Sequence, residues 1–92
     1  MEWKVEYKKI FLKEVSNLPL EIKNRIEHIV FEIFPVIQNP FELGYVEKMT
    51  GYKDKYKIRV SSYRIGLTIN LTEHIITFQR AAHRKDIYNK FP

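Results

Sequence analysis

The first residues alternate in polarity. Trp3, Val5 and Tyr7 are apolar, and Lys4, Glu6 and Lys8 are polar, the period of a strand with one buried face. Helical spacing follows. Phe11, Leu12, Val15 and Leu18 fall at i, i+1, i+4 and i+7, which predicts a short helix. Ser16-Asn17 interrupts it, and Pro19, whose fixed φ suits a first helical turn, opens a second helix. There Ile22, Ile26, Ile29, Val30, Ile33, Phe34 and Ile37 form one apolar stripe. Glu21, Lys23, Asn24, Arg25, Glu27 and Glu32 form the solvent face. Pro35 should kink or end this helix, and Asn39 to Gly44 reads as a loop.

Period two then returns. Tyr56, Ile58 and Val60 alternate with Lys57 and Arg59, and Ser61-Ser62 signals a turn. Tyr63, Ile65, Leu67 and Ile69 alternate with Arg64, Gly66, Thr68 and Asn70. Asn70 to His74 is a second turn, Ile75 to Gln79 the next strand, and His83 to Lys90 a short terminal helix. This order predicts one α+β domain over residues 1–92. It has an N-terminal strand, a helical hairpin packed on an antiparallel sheet of about four strands, and a short C-terminal helix.

Alternation also sorts the charges. If Tyr56, Ile58 and Val60 face the helices, Lys57 and Arg59 face away. Arg64, across the hairpin, joins them. Gly66 and Thr68 are small, so the predicted surface around Lys57, Arg59 and Arg64 is concave and basic. The stretch His83-Arg84-Lys85 can close one side of it. Arg80 shares parity with Ile76 and Phe78, and is expected as a rim phosphate contact or an ion-pair partner.

Charge and composition sharpen this picture. The net charge of +5 hides a division: residues 1–47 carry −2 and residues 48–92 carry +7. Like charges gathered on one face repel unless an anion compensates, and arginine forks suit phosphate. Tyr52, Tyr56, Tyr63 and Tyr88 interleave the cations. Tyr56 and Tyr63 fit the edge of the core, whereas Tyr52 and Tyr88 are candidates for stacking on bases. The bland alternative is a charged sheet face kept for solubility. Cys is absent, which excludes a disulfide scaffold and a thiolate metal site. The three histidines lack metal-ligand spacing, and the three glycines are too scattered for a phosphate-cradling loop. The expectation is a soluble, cytoplasmic protein that needs neither metal nor cofactor and has no membrane partner.

The run Met49-Thr50-Gly51-Tyr52-Lys53, then Tyr56-Lys57-Ile58-Arg59-Val60, Tyr63-Arg64-Ile65-Gly66, and Arg80-Ala81-Ala82-His83-Arg84-Lys85-Asp86-Ile87-Tyr88 resembles the RelE/ParE toxin superfamily, and within it the RelE branch. The resemblance spans essentially the whole chain, including the closing Phe91-Pro92. It implies the toxin of a type II toxin–antitoxin pair, a metal-independent endoribonuclease that cleaves mRNA in the ribosomal A site and so stops translation. In that chemistry a 2′-OH attacks the adjacent phosphate, giving a 2′,3′-cyclic phosphate and a 5′-OH. The implied partners are a RelB-like antitoxin, mRNA and the ribosome. Phe41, Leu43 and Tyr45 are candidates for the antitoxin contact.

Carried over by motif, the implied catalytic positions are Lys57, Arg59, Arg64, Arg84 and Tyr88. The expected RNA contacts are Lys53, Lys55, Arg80, His83 and Lys85. Lys57, crowded by Arg59 and Arg64, is the candidate base, because arginine holds its proton. Arg64 suits the non-bridging oxygens, and Arg84 or His83 the leaving oxygen. The chain departs from the family where glycine-containing turns are common: Ser61-Ser62 precedes Tyr63-Arg64, and Ala81-Ala82 precedes His83-Arg84. A ParE-like poison of DNA gyrase on the same fold is the alternative function, and a plain RNA-binding module is a third.

Overall fold

In the computed structural model, which describes residues 2–92, five strands form one mixed sheet. Strand β1 (Lys4–Tyr7) leads into helix α1 (Lys9–Ser16) and helix α2 (Leu20–Glu27). Strands β2 (Val46–Lys48), β3 (Lys55–Val60), β4 (Tyr63–Asn70) and β5 (Ile75–His83) follow, and helix α3 (Ile87–Lys90) comes last. The spatial order is β1-β5-β4-β3-β2. The predicted α+β arrangement holds, with differences of detail: β5 runs on to His83 instead of ending at Gln79, and α3 starts at Ile87 instead of His83. β1 pairs in parallel with β5, so the sheet is mixed. The three-residue β2 adds an edge strand, too short to leave a periodic trace in the sequence.

The helical hairpin covers one face of the sheet. Phe11, Val15, Ile26, Val30 and Phe34 from the helices meet Ile58, Ile65, Leu67, Ile69, Ile76 and Phe78 from the strands. Phe11, Phe34 and Phe78 are wholly buried, each worth about 1.5–3 kcal/mol relative to exposure. Phe34 meets Phe78 edge-on at 5.0 Å between ring centroids, a geometry aromatic quadrupoles favour.

The long apolar stripe is not one regular helix. After Glu27 the backbone widens into a π-helical turn over His28–Ile33 and then tightens into a 3-10 turn over Phe34–Val36, which contains Pro35. The Tyr7 hydroxyl donates to the Val30 carbonyl inside the widened turn, satisfying an acceptor there. Burial holds the Tyr7 phenol above its usual pKa.

The opposite face carries a smaller apolar cluster: Met49, Ala82, Ile87 and Phe91. It seats α3 and the residues after it on the strands. The face expected to be hollow is therefore partly filled. The Phe91 ring lies directly over Gly66.

Candidate active site

Register decides which side chains meet. Lys57 pairs with Gly66 and Gly66 with Arg80, while Arg59 pairs with Arg64 and Arg64 with Ala82. Paired residues share a face, so Lys57, Arg59 and Arg64 do occupy the face away from the helices. Lys55, two residues before Lys57 and opposite Thr68, joins them.

Sharing a face does not bring the cations together. Arg59 Nε contacts Glu47 Oε1 at 3.0 Å, with both side chains well exposed. Glu47 lies opposite Lys57 on β2, so the edge strand delivers a counter-charge that composition could not place. Arg64 folds back on its own turn, where Nη1 donates to the carbonyls of Ser61 and Tyr63 at 2.9 Å each. Ser61 takes φ +56 in that turn, a conformation usually left to glycine. The expected crowding of Lys57 by Arg59 and Arg64 is thus replaced by separate partners.

Lys57 instead meets the C-terminal helix. Its Nζ donates to the Tyr88 hydroxyl at 2.8 Å. The pair lines a cavity of about 390 Å³ with Met49, Thr50, Tyr52 and Pro92. Tyr52 and Tyr88 are both exposed, offering aromatic surface beside the Lys57 side chain. Lys55 Nζ lies 5.7 Å from the centre of the Phe91 ring and 3.8 Å from Asp54 Oδ1. Lys53 is exposed in the loop between β2 and β3, and Arg84 and Lys85 are exposed in the turn after β5. A larger hollow of about 770 Å³ beside Trp3, Val36 and Glu42 has neither lysine nor arginine in its lining.

Two side chains lie elsewhere than expected. Leu67 pairs with Phe78 but Gly66 with Arg80, so Gln79 is an extra residue in β5. This bulge shifts the alternation and moves Arg80 onto the face of Lys57, away from Ile76 and Phe78. Arg80 there takes the ion-pair alternative: Nε and Nη2 donate to the two carboxylate oxygens of Glu14 at 3.1 and 2.9 Å. His83, opposite Tyr63, projects to the face of the helices, edge-on to the Tyr63 ring at 5.3 Å. It is separated by the sheet from Lys57 and Tyr88. The bulge has no local sequence signature, so counting by twos misplaces Arg80.

Sequence pattern does not reveal Met49, Thr50 and Pro92 as cavity walls, Glu47 as the partner of Arg59, or Glu14 as the partner of Arg80. One signal was available. A glycine inside a strand marks close approach of another group, and Gly66 has Phe91 upon it.

The chain is 39% identical to Toxin RelE3 of Methanocaldococcus jannaschii, over 97% of this chain and 99% of that protein. It belongs to the RelE toxin family. No model of a protein family matches the chain. Among solved structures, the RelB–RelE antitoxin–toxin complex of Methanococcus jannaschii contains a chain 36% identical, with a TM-score of 0.74 and coverage of 95% of this chain and 99% of that one. The archaeal RelE–RelB complex from Pyrococcus horikoshii OT3 shares the fold at 24% identity, with a TM-score of 0.71 and coverage of 95% and 100%. No helix among the described residues of this RelE-family chain is long and apolar enough to cross a membrane.

Proposed function

We propose that this toxin is a ribosome-dependent mRNA endonuclease working through side chains alone, in a toxin–antitoxin pair with a RelB-like antitoxin. One observation carries the reading: the Lys57–Tyr88 hydrogen bond at 2.8 Å, set in a cavity with aromatic walls on the basic face of the sheet. Cleavage by 2′-OH attack needs a proton acceptor, charge stabilisation on the phosphorane and a proton for the departing oxygen. Lys57, whose Nζ reaches the Tyr88 hydroxyl, is assigned the 2′-OH proton as the 2′ oxygen bonds to phosphorus. The 5′ oxygen leaves with a proton from Tyr88, whose hydroxyl accepts from Lys57 and keeps its own hydrogen to give. Arg64 and Arg84 serve the non-bridging oxygens, with Arg64 first leaving its turn carbonyls. Arg59 contributes once phosphate competes with Glu47 for it. Lys53, Lys55 and Lys85 track the RNA backbone. The two complexes of RelE with RelB named above support an antitoxin partner of that type.

The test is a translation extract to which the purified toxin is added, with mRNA 5′ ends mapped. Cuts within translated codons that leave a 2′,3′-cyclic phosphate are expected, and Lys57→Ala should abolish them. Intact mRNA would overturn the proposal, and intact mRNA with stalled DNA gyrase would replace it by the gyrase-poison reading.

A further inference from the structure

The Glu14 carboxylate on α1 is only 15% exposed and draws four donors. Oε1 accepts from Arg80 Nε at 3.1 Å and from the Ala81 amide at 3.0 Å. Oε2 accepts from Arg80 Nη2 at 2.9 Å and from Lys90 Nζ at 3.5 Å. Arg80 Nη1 in turn donates to the Lys90 carbonyl at 3.4 Å. The position explains the demand. β1 pairs with β5 only as far as Phe78, so beyond it the edge of β5 has no strand beside it. Glu14 supplies the acceptor the Ala81 amide would otherwise lack, and gathers the last residue of α3 to the same point.

α3 has only four residues, far below the length at which a helix holds itself. Its orientation is set from outside. Ile87 and Phe91 pack on Met49 and Ala82, and the Glu14 cluster grips Lys90. Between these anchors sits Tyr88, exposed except for its bond to Lys57.

We propose that Glu14 is a positioning residue: through Arg80 and Lys90 it holds the C-terminal segment in the orientation that puts the Tyr88 hydroxyl on Lys57. The effect on cleavage rests on the endonuclease reading above. The effect on Tyr88 does not, so the two can fail separately.

The test compares the full-length toxin with its Glu14→Gln variant, by amide hydrogen exchange and by spectra of isotope-labelled tyrosine rings. Exchange over residues 87–91 should rise about tenfold or more, and the Tyr88 ring signal should move toward that of free tyrosine. Amides of β3 and β4 should keep their protection. An unchanged Tyr88 signal would overturn the proposal, as would loss of protection spread evenly over the chain. If Glu14→Gln does not fold, Lys90→Met decides by the same signals, with an expected rise of about threefold for loss of an exposed ion pair. On translating ribosomes kcat should fall about tenfold with KM nearly unchanged, since a misaligned Tyr88 affects the step more than binding. Equal changes in both would overturn the positioning role. A wild-type chain that cuts no mRNA would remove the endonuclease reading, leaving the Tyr88 signal to judge the clamp.

Discussion

The Phe91 ring occupies the space that a side chain on Gly66 would need: a Cβ built there comes within 2.5 Å of Cδ2 and 2.6 Å of Cγ. Gly66 is thus the seat of the C-terminal segment. Alanine in place of a strand glycine ordinarily stabilises, by about 0.5–1 kcal/mol. At Gly66 the sign should reverse. Gly66→Ala is expected to cost about 1–3 kcal/mol, as overpacked sites do, and to reduce mRNA cleavage by displacing Tyr88. Denaturant unfolding and a cleavage assay on the same preparation check both effects.

Tyr88→Phe keeps the ring and deletes the oxygen that Lys57 contacts. Because Tyr88 is 57% exposed, stability should change by less than about 0.5 kcal/mol. Cleavage should fall about 100–10,000-fold, the scale of a lost proton-transfer group. Single-turnover cleavage in a translation extract measures it.

Glu47 partly neutralises the basic face by pairing with Arg59. Removing its charge in Glu47→Gln should leave stability nearly unchanged, since an exposed ion pair is worth about 0–1 kcal/mol. Affinity for single-stranded RNA should rise about threefold. The salt dependence of binding should steepen by about one released counterion. A titration at several ionic strengths reads both.

Acid should act through Glu14. Burial alone would raise its pKa. Hydrogen bonds from Arg80 and the Ala81 amide, with the charges of Arg80 and Lys90, outweigh burial and hold it below the ordinary 4.5. A carboxyl lowered in the folded state adds stability that is present above its unfolded pKa and disappears as pH falls through the folded one. The melting temperature should therefore drop on acidification from about pH 6 to about pH 3, and drop less in Glu14→Gln. Parallel melting curves across that range provide the comparison.

Ser61 pays for its left-handed backbone at φ +56. Ser61→Gly should relieve this and stabilise the hairpin by about 0.5–1 kcal/mol. Thermal unfolding monitors the gain. A looser turn also weakens the hold of the Ser61 carbonyl on Arg64, so RNA binding is expected to change with it.

Local pattern was enough to read the strands β1, β3 and β4, the hairpin helices and the face on which Lys57, Arg59 and Arg64 emerge. Each depends on neighbours within a few residues. What escaped depends on distant partners. The parallel pairing of Lys4 with Ile75 joins opposite ends of the sequence. The extra residue Gln79 reverses the side of Arg80, since parity carried forward from Ile76 and Phe78 fails beyond a bulge, and His83, expected at the start of the last helix, ends β5 instead. Glu47 and Glu14 looked like ordinary surface acids, and only the folded chain sets them against Arg59 and Arg80. Tyr88 could be named from the family motif, but its contact with Lys57, 31 residues away, belongs to the folded chain alone.

The placement of β5 between β1 and β4 bears on how the toxin comes into being. Lys4 emerges from the ribosome early and must wait for Ile75 before its strand has a neighbour. Lys57 likewise waits for Tyr88. A nascent chain carries its basic hairpin well before these partners are made, so the Lys57–Tyr88 contact cannot form until the C-terminal residues have been synthesised. The ribosome making this toxin holds, for most of that synthesis, an unassembled site.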